Sequence, residues 1–186
     1  MLREVRRIVT GHDGQGRSII AQDGPPPRSI ELGGRGLMFH EFWHTKNVPA
    51  KIDRASAEPL EASLSLKPPK GGVRIRIVDT PPEEPGAEAP ELGLIEQAFA
   101  MLGAVNASRY RPGQTHPAMH VTPSLDYGIV LEGEITLITD TGETLCRPGD
   151  VIVQNGTNHA WVNRSGKPAR MCFVLIDGEY EEGLAP

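Results

Sequence analysis

Short apolar runs that alternate with polar residues, broken at close intervals by glycine or proline, set the character of this chain. Alternation with period two marks strands that bury one face, and the Gly/Pro punctuation marks the turns between them. Glu4–Thr10 and Ser18–Gln22 flank the turn-forming stretch His12 to Gly16 and predict a hairpin, which Gly24 and Pro25 to Pro27 then end. Gly36–Thr45 is a further strand candidate, and Val73–Val78 alternates Val/Ile with Arg. Leu94, Ile95, Ala98, Phe99 and Leu102 recur at helical spacing, so one helix is predicted over Leu92–Leu102, with Gly103 as its stop signal. Pro49–Gly72 has no firm period and reads as irregular, with a strand candidate at Ala62–Leu66. Thr80–Pro90 is acidic and proline-rich, the composition of an extended, exposed loop.

From Ser108 onward the chain becomes a series of strands separated by glycine-centred turns. They fall near Ala118–Val121, Tyr127–Leu131, Glu134–Thr139, Glu143–Cys146, Asp150–Gln154, His159–Asn163 and Ala169–Asp177. So many short strands in succession predict an all-β barrel or jelly roll. The 21 Gly and 17 Pro exclude long helices, and 186 residues suit a single domain. Within it, residues 1–104 are expected to pack as strands, loop and helix on a barrel at 105–178.

Charge narrows the partners. A net charge of -5 with only small basic clusters argues against a nucleic-acid or anionic-membrane surface. No apolar run approaches the roughly 20 residues that span a bilayer, and Met1 to Glu4 lacks the apolar core of a signal peptide, so a soluble cytoplasmic protein is expected. Cys146 and Cys172 lie in apolar contexts without metal-site spacing and read as buried free thiols.

Two stretches carry candidate chemistry: His120, Thr122 and Asp126 leading to Gly133, and Pro148-Gly149-Asp150 leading to Gly156, His159 and Asn163. Residues 109 to 177 resemble the conserved barrel of the cupin superfamily. The first cupin motif is a glycine, a His-x-His pair, a glutamate and a closing glycine; here Gly113, His120, Asp126 and Gly133 match it, with Thr122 at the second histidine and Asp126 for the longer glutamate. The second motif is matched by Gly149, Gly156, His159 and Asn163, with Asn155 where proline is usual. The wording around Asp126 to Glu134 and Gly156 to Trp161, with Arg6 to Asp13, is similar to a subgroup of bacterial and fungal single-domain cupins, some described as cupin-domain oxidoreductases of secondary metabolism. The resemblance implies a double-stranded β-helix and a small-molecule enzyme, its substrate aromatic or polyketide-like.

The residues support a site independently of that resemblance. In an antiparallel barrel, neighbouring strands bring side chains to one face at about 5 Å, so His120, Asp126 and His159 can converge. Two imidazoles and a carboxylate form a facial set for Fe(II), Mn(II) or Zn(II) that leaves positions open for substrate. His159 and His120 each read either as metal ligand or as hydrogen-bonded core histidine. Asp126 reads as ligand, as a partner orienting a histidine, or as an acceptor for backbone amides. His116 is a candidate replacement ligand or a solvated loop residue. Thr122, Tyr127 and Trp161 are expected in the substrate pocket, Trp161 equally as plain core. Arg109 and Arg111 read as a substrate-carboxylate contact or as a solvated pair. His40 and His44, at even spacing on one strand, are expected to share a face.

Three functions follow from these alternatives. One is a metal-dependent oxidoreductase or dioxygenase-like enzyme acting on a small organic molecule. Another is a metal-free isomerase or cyclase with His159 or His120 as general acid/base and Asp126 tuning its pKa, the absent metal following from Thr122. The last is a non-catalytic module that binds a small ligand. Edge strands and the N-terminal strands predict a homodimer.

Overall fold

The computed structural model describes residues 2–53, 64–83, 92–110 and 116–184. Eleven strands and one helix follow in order: β1 (Arg7–His12), β2 (Ser18–Gly24), β3 (Arg28–Leu32), β4 (Leu37–Thr45), β5 (Val73–Thr80), α1 (Leu92–Met101), β6 (Ser124–Glu132), β7 (Ile135–Thr139), β8 (Glu143–Cys146), β9 (Val151–Asn155), β10 (His159–Val162) and β11 (Ala169–Asp177). A six-stranded antiparallel sheet in the order β3-β4-β5-β11-β6-β9 and a three-stranded sheet β10-β7-β8 form the jelly roll, with β1-β2 as a separate hairpin. No helix among the described residues is long and apolar enough to cross a membrane.

The hairpin forms where its turn chemistry predicts. Asp13 Oδ1 accepts from the backbone amides of Gln15 and Arg17, both at 2.9 Å, and Gly16 takes the positive φ of 80° that the turn needs. Arg7 ties the hairpin to the main sheet: it donates to the Phe42 carbonyl at 3.1 Å and lies 6.0 Å over the Trp43 ring.

Register across the large sheet decides which residues face inward. Arg74, Leu175, Asp126 and Gln154 form one cross-strand row, and Arg76, Phe173 and Gly128 the next. The arginines of β5 therefore point into the barrel, at 3% and 2% exposure. Glu41 on β4 meets both, at 2.9 Å from Arg74 and 3.1 Å from Arg76, which offsets the cost of burying their charges.

On β4 the register shifts between Glu41 and Trp43. That bulge corrects the expectation that His40 and His44 share a face: His40 pairs with Ile77 on the outer side, and His44 with Arg74 on the inner. His40 Nδ1 lies 2.8 Å from the Ser29 hydroxyl and its Nε2 3.2 Å from Asp79.

Most predicted strands stand within a residue or two of their limits, with two differences. β3 was not expected: Ser29-Ile30-Glu31-Leu32 alternates with period two, but over a short run that directly follows three prolines. Ala118–Val121 is not a strand; His120 makes only isolated bridges, to Ser108 and His159. The candidate at Ala62–Leu66 is irregular over Leu64–Leu66, and its first two residues lie outside the described ones. Leu64 and Leu66 are nevertheless buried, packed with Leu32, Phe99 and Leu102. Through this cluster α1 closes one end of the barrel, and Gly103, at φ 62°, ends the helix. Cys146 is buried, Cys172 half-buried, and both are free thiols.

Candidate functional site

The site begins where the first motif crosses the start of β10. His120 N donates to the His159 carbonyl at 2.9 Å and His159 N returns the bond to the His120 carbonyl at 3.0 Å. Opposed residues of an antiparallel pair carry side chains to one face, so the imidazole rings lie 4.3 Å apart, tilted by 45°. Phe99 of α1 packs 5.1 Å from the His120 ring. On the other side the Trp161 ring is 5.8 Å from His159 and 5.5 Å from Phe173. The two histidines thus sit in a row of rings running from the helix to the sheet.

The hydrogen bonds of each ring define what it offers. His120 Nδ1 lies 2.9 Å from the Ala118 carbonyl; a carbonyl only accepts, so this ring carries its proton on Nδ1 and presents the Nε2 lone pair. His159 Nδ1 lies 2.9 Å from the Thr157 carbonyl and 3.0 Å from the Gln154 amide nitrogen. Burial lowers the pKa of both rings; His159, with the His120 charge acting against it as well, falls to about 3. Both are neutral at physiological pH.

Asp126 faces inward from β6 opposite Gln154. Its carboxyl is 6% exposed, Oδ1 has no hydrogen-bond partner, and burial pushes its pKa up to about 6 despite the opposing effects of the Ser124 hydroxyl and the Arg76 charge. Thr122, 4% exposed, lines the wall between His120 and Asp126.

A further polar contact guards the rim. His116 Nε2 lies 3.0 Å from Glu83, while its Nδ1 accepts from the Ala118 amide at 3.1 Å. Glu83 is held in turn by its own amide, which donates to the Asn163 carbonyl at 2.8 Å. The Asn163 amide donates to the carbonyls of Thr80 and Lys167, at 2.9 and 2.8 Å. Asn163 is therefore a strap that fixes Thr80–Glu83 at the cavity, not a group that meets substrate.

These residues surround a cavity of about 950 Å³. Its walls are mainly apolar, from Phe39, Val78, Met171 and Leu175 of the sheet to Leu94, Ile95, Ala98, Phe99 and Leu102 at the helix. The polar side chains of the lining are Arg76, Thr122, Asp126, His120 and His159, with Arg35, Glu83 and His116; against the expected convergence, Asp126 is not grouped with the two histidines closely enough to share a metal ion with them. Such a site suits a molecule with a large apolar body and a few polar atoms.

Of the expected residues, His120, His159, Asp126, Thr122, Trp161 and His116 all line this cavity, and Tyr127 does not. Tyr127 follows Asp126 along a strand, so it points to the opposite face, where it is 38% exposed. Arg109 is exposed and bonds the Asn106 carbonyl at 2.9 Å; Arg111 and Gly113 lie outside the described residues. Arg76, Gln154, Phe39 and the Thr80–Glu83 segment were not anticipated.

The donors fit a resident metal poorly. Both nitrogens of His116 are engaged, and among the described residues no group of three or more His, Cys, Asp or Glu side chains is placed to hold a metal ion. Two imidazoles remain, one donor fewer than the three protein ligands usual at a catalytic centre.

Comparison with known proteins agrees with this architecture. Residues 107–176 match the model of the cupin domain, Cupin_2. The chain is 33% identical over 184 residues to phomopsin biosynthesis cluster protein C' of Diaporthe leptostromiformis, covering 96% of this chain and 81% of that protein. It is 30% identical to the cupin-domain-containing oxidoreductase fogC of Aspergillus ruber, covering 95% of this chain and 74% of that one. Among solved structures, the cupin domain of Schizosaccharomyces pombe Cnp3 is similar over 95% of this chain and 89% of its own, with 9% identity and a TM-score of 0.44.

Proposed function

We propose a function for this chain on the premise that it belongs to the cupin family: it is an enzyme that moves a proton on a small, largely apolar organic molecule enclosed in the barrel. The observation that carries this reading is the pair of neutral imidazoles, 4.3 Å apart in the wall of an apolar cavity. A neutral ring with a bare Nε2 is a general base, and water exclusion strengthens every polar contact made around it. His120 has that form, with Nδ1 tied to a carbonyl.

The reaction class that suits these groups is removal of a proton from carbon beside a carbonyl. The C–H bond breaks, the proton goes to His120 Nε2, and the electron pair passes through the new C=C bond onto the carbonyl oxygen. Return of the proton at another carbon isomerises the substrate, and attack of the enolate carbon on an electrophilic carbon of the same molecule closes a ring. The relatives fogC and virC are named cupin-domain-containing oxidoreductases. Asp126, whose carboxyl burial pushes up to about 6, lines the same cavity and, when ionised, accepts a hydrogen bond from a donor on the substrate.

The test uses a carbonyl compound chosen because it raises the thermal stability of the protein. His120→Gln is expected to keep that stabilisation and to lose about 10²- to 10⁴-fold in turnover, the usual contribution of a general base. Equal turnover by wild type and variant overturns the reading. A compound that binds and always emerges chemically unchanged would mean a binding module instead.

A further inference from the structure

We infer that Ser29, His40 and Asp79 form a second reactive site on the outer face of the large sheet, which takes an acyl group from a small ester onto the Ser29 hydroxyl. None of the three lines the cavity, so this site stands or falls separately from the proton-transfer reading.

Register brings the three side chains together. Ser29 of β3 is paired with His40 of β4, and on the other side of β4 the partner of His40 is Ile77, two residues from Asp79. Opposed residues share a face, and so do residues two apart on one strand, so all three stand on the outer side. Ser29 Oγ lies 2.8 Å from His40 Nδ1, and His40 Nε2 lies 3.2 Å from Asp79 Oδ2. Ser29 is exposed, while the side chains behind it, His40 and Asp79, are only 8% and 14% exposed. A nucleophile thus meets solvent with its base held inside the structure.

The proton positions follow from the third group. Arg170 donates through Nε and Nη2 to the two oxygens of the Asp79 carboxylate, at 2.6 Å each, which fixes the carboxylate beside the ring. A carboxylate only accepts, so His40 carries its proton on Nε2. The bare Nδ1 then faces Ser29, and the hydroxyl is the donor. A serine hydroxyl bonded to a bare imidazole nitrogen, with the ring oriented from behind by a carboxylate, is an activated nucleophile. Asp79 and Arg170 are positioning residues here; Ser29 and His40 meet the substrate.

The sheet edge supplies a further donor. β3 is the end strand of its sheet among the described residues, and an end strand turns alternate backbone N–H groups away from the sheet. Either the Ser29 or the Ile30 amide therefore points to the open side, next to the hydroxyl, where it can receive charge developing on an acyl oxygen. Ser29 Oγ attacks the acyl carbon as its proton passes to His40 Nδ1. The carbonyl electron pair moves onto oxygen and returns as the bond to the alcohol oxygen breaks, and the departing alcohol takes the proton from His40. Water attacks the acyl-Ser29 in the same way, which releases the acid and restores the hydroxyl.

The experiment treats the full chain with a fluorophosphonate, which phosphonylates serine with loss of fluoride, and follows each modified peptide by mass spectrometry. Ser29 should react at least about 100-fold faster than Ser18, an exposed strand serine opposite His12. His40→Gln should slow Ser29 by about 10²- to 10⁴-fold. Asp79→Asn, whose amide can turn an N–H toward His40 Nε2, should slow it as well, whereas Asp79→Glu, which only accepts, should keep most of the rate. p-Nitrophenyl acetate should release nitrophenolate faster with wild type than with Ser29→Ala, and His120→Gln should behave as wild type in both assays. Wild-type Ser29 that reacts no faster than Ser18 overturns the inference without any variant. A Ser29 rate that His40→Gln leaves unchanged, or equal nitrophenolate release by Ser29→Ala, overturns it too.

Discussion

Asp126 and His159 line the same cavity, yet they should drive stability in opposite directions as pH changes. Burial raises the Asp126 carboxyl from 3.8 to about 6, so the folded chain holds that proton more tightly than the unfolded chain; the resulting stability is fully present below pH 3.8 and is lost as pH rises through about 6. Burial and the His120 charge lower His159 from 6.5 to about 3, so the folded chain holds that proton less tightly; this stability is intact above pH 6.5 and is lost as pH falls toward about 3.

Between about pH 7 and pH 5, linkage gives a gain of about 1 kcal/mol from Asp126 and a loss of about 2 kcal/mol from His159. The two oppose each other, and the loss is the larger. Asp126→Asn removes the gain, so that chain should lose about 1 kcal/mol more than wild type over the interval, whereas His159→Gln should lose about 2 kcal/mol less. His120, lowered by burial as well, adds a loss common to wild type and Asp126→Asn. Urea denaturation at about pH 5, 6 and 7 reads these differences directly, since they are sizeable beside a total stability of about 5–15 kcal/mol. An Asp126→Asn profile parallel to wild type would refute burial as the dominant influence on that carboxyl.

Three further outcomes are expected. Elemental analysis of the chain purified after growth with iron, manganese and zinc should find under about 0.1 ion per chain, because two imidazoles fall short of a full ligand set; stoichiometric metal that disappears in His159→Ala would contradict the reading of the donors. Gly133 has φ 72°, and an added Cβ would lie 2.6 Å from the Pro168 carbonyl oxygen and 2.8 Å from Ala169 Cα, so Gly133→Ala should cost about 2–4 kcal/mol by chemical denaturation, and an unchanged midpoint would show that the turn relaxes. Light scattering should return twice the 20.2 kDa chain mass; a monomer at micromolar concentration would rule out the homodimer.

Much of the fold is legible in the sequence because period two, helical spacing and glycine punctuation are local properties. The C-terminal strands and α1 were readable for that reason, and Trp161 is on the cavity side because it lies two residues from His159. The same rule, applied to Tyr127, excludes it from the face of Asp126. What local pattern does not contain is the identity of the inner face. Val73–Val78 alternates cleanly, but both faces of β5 are at least partly covered, so nothing in the run says that Arg74 and Arg76 point inward. His40 and His44 part company because of a bulge that spacing alone does not reveal. Gln154 meets Thr157 and His159 because those residues fold back on it, a contact made by side-chain rotamers rather than by sequence period.

The central claim, that His120 removes a proton from carbon within this cavity, is tested most directly by deuterium wash-in. A stabilising carbonyl compound incubated with the protein in D₂O is expected to gain deuterium at the carbon beside the carbonyl at least about 100-fold faster with wild type than with His120→Gln. Equal rates with the two proteins, or no exchange above the protein-free rate, would contradict it.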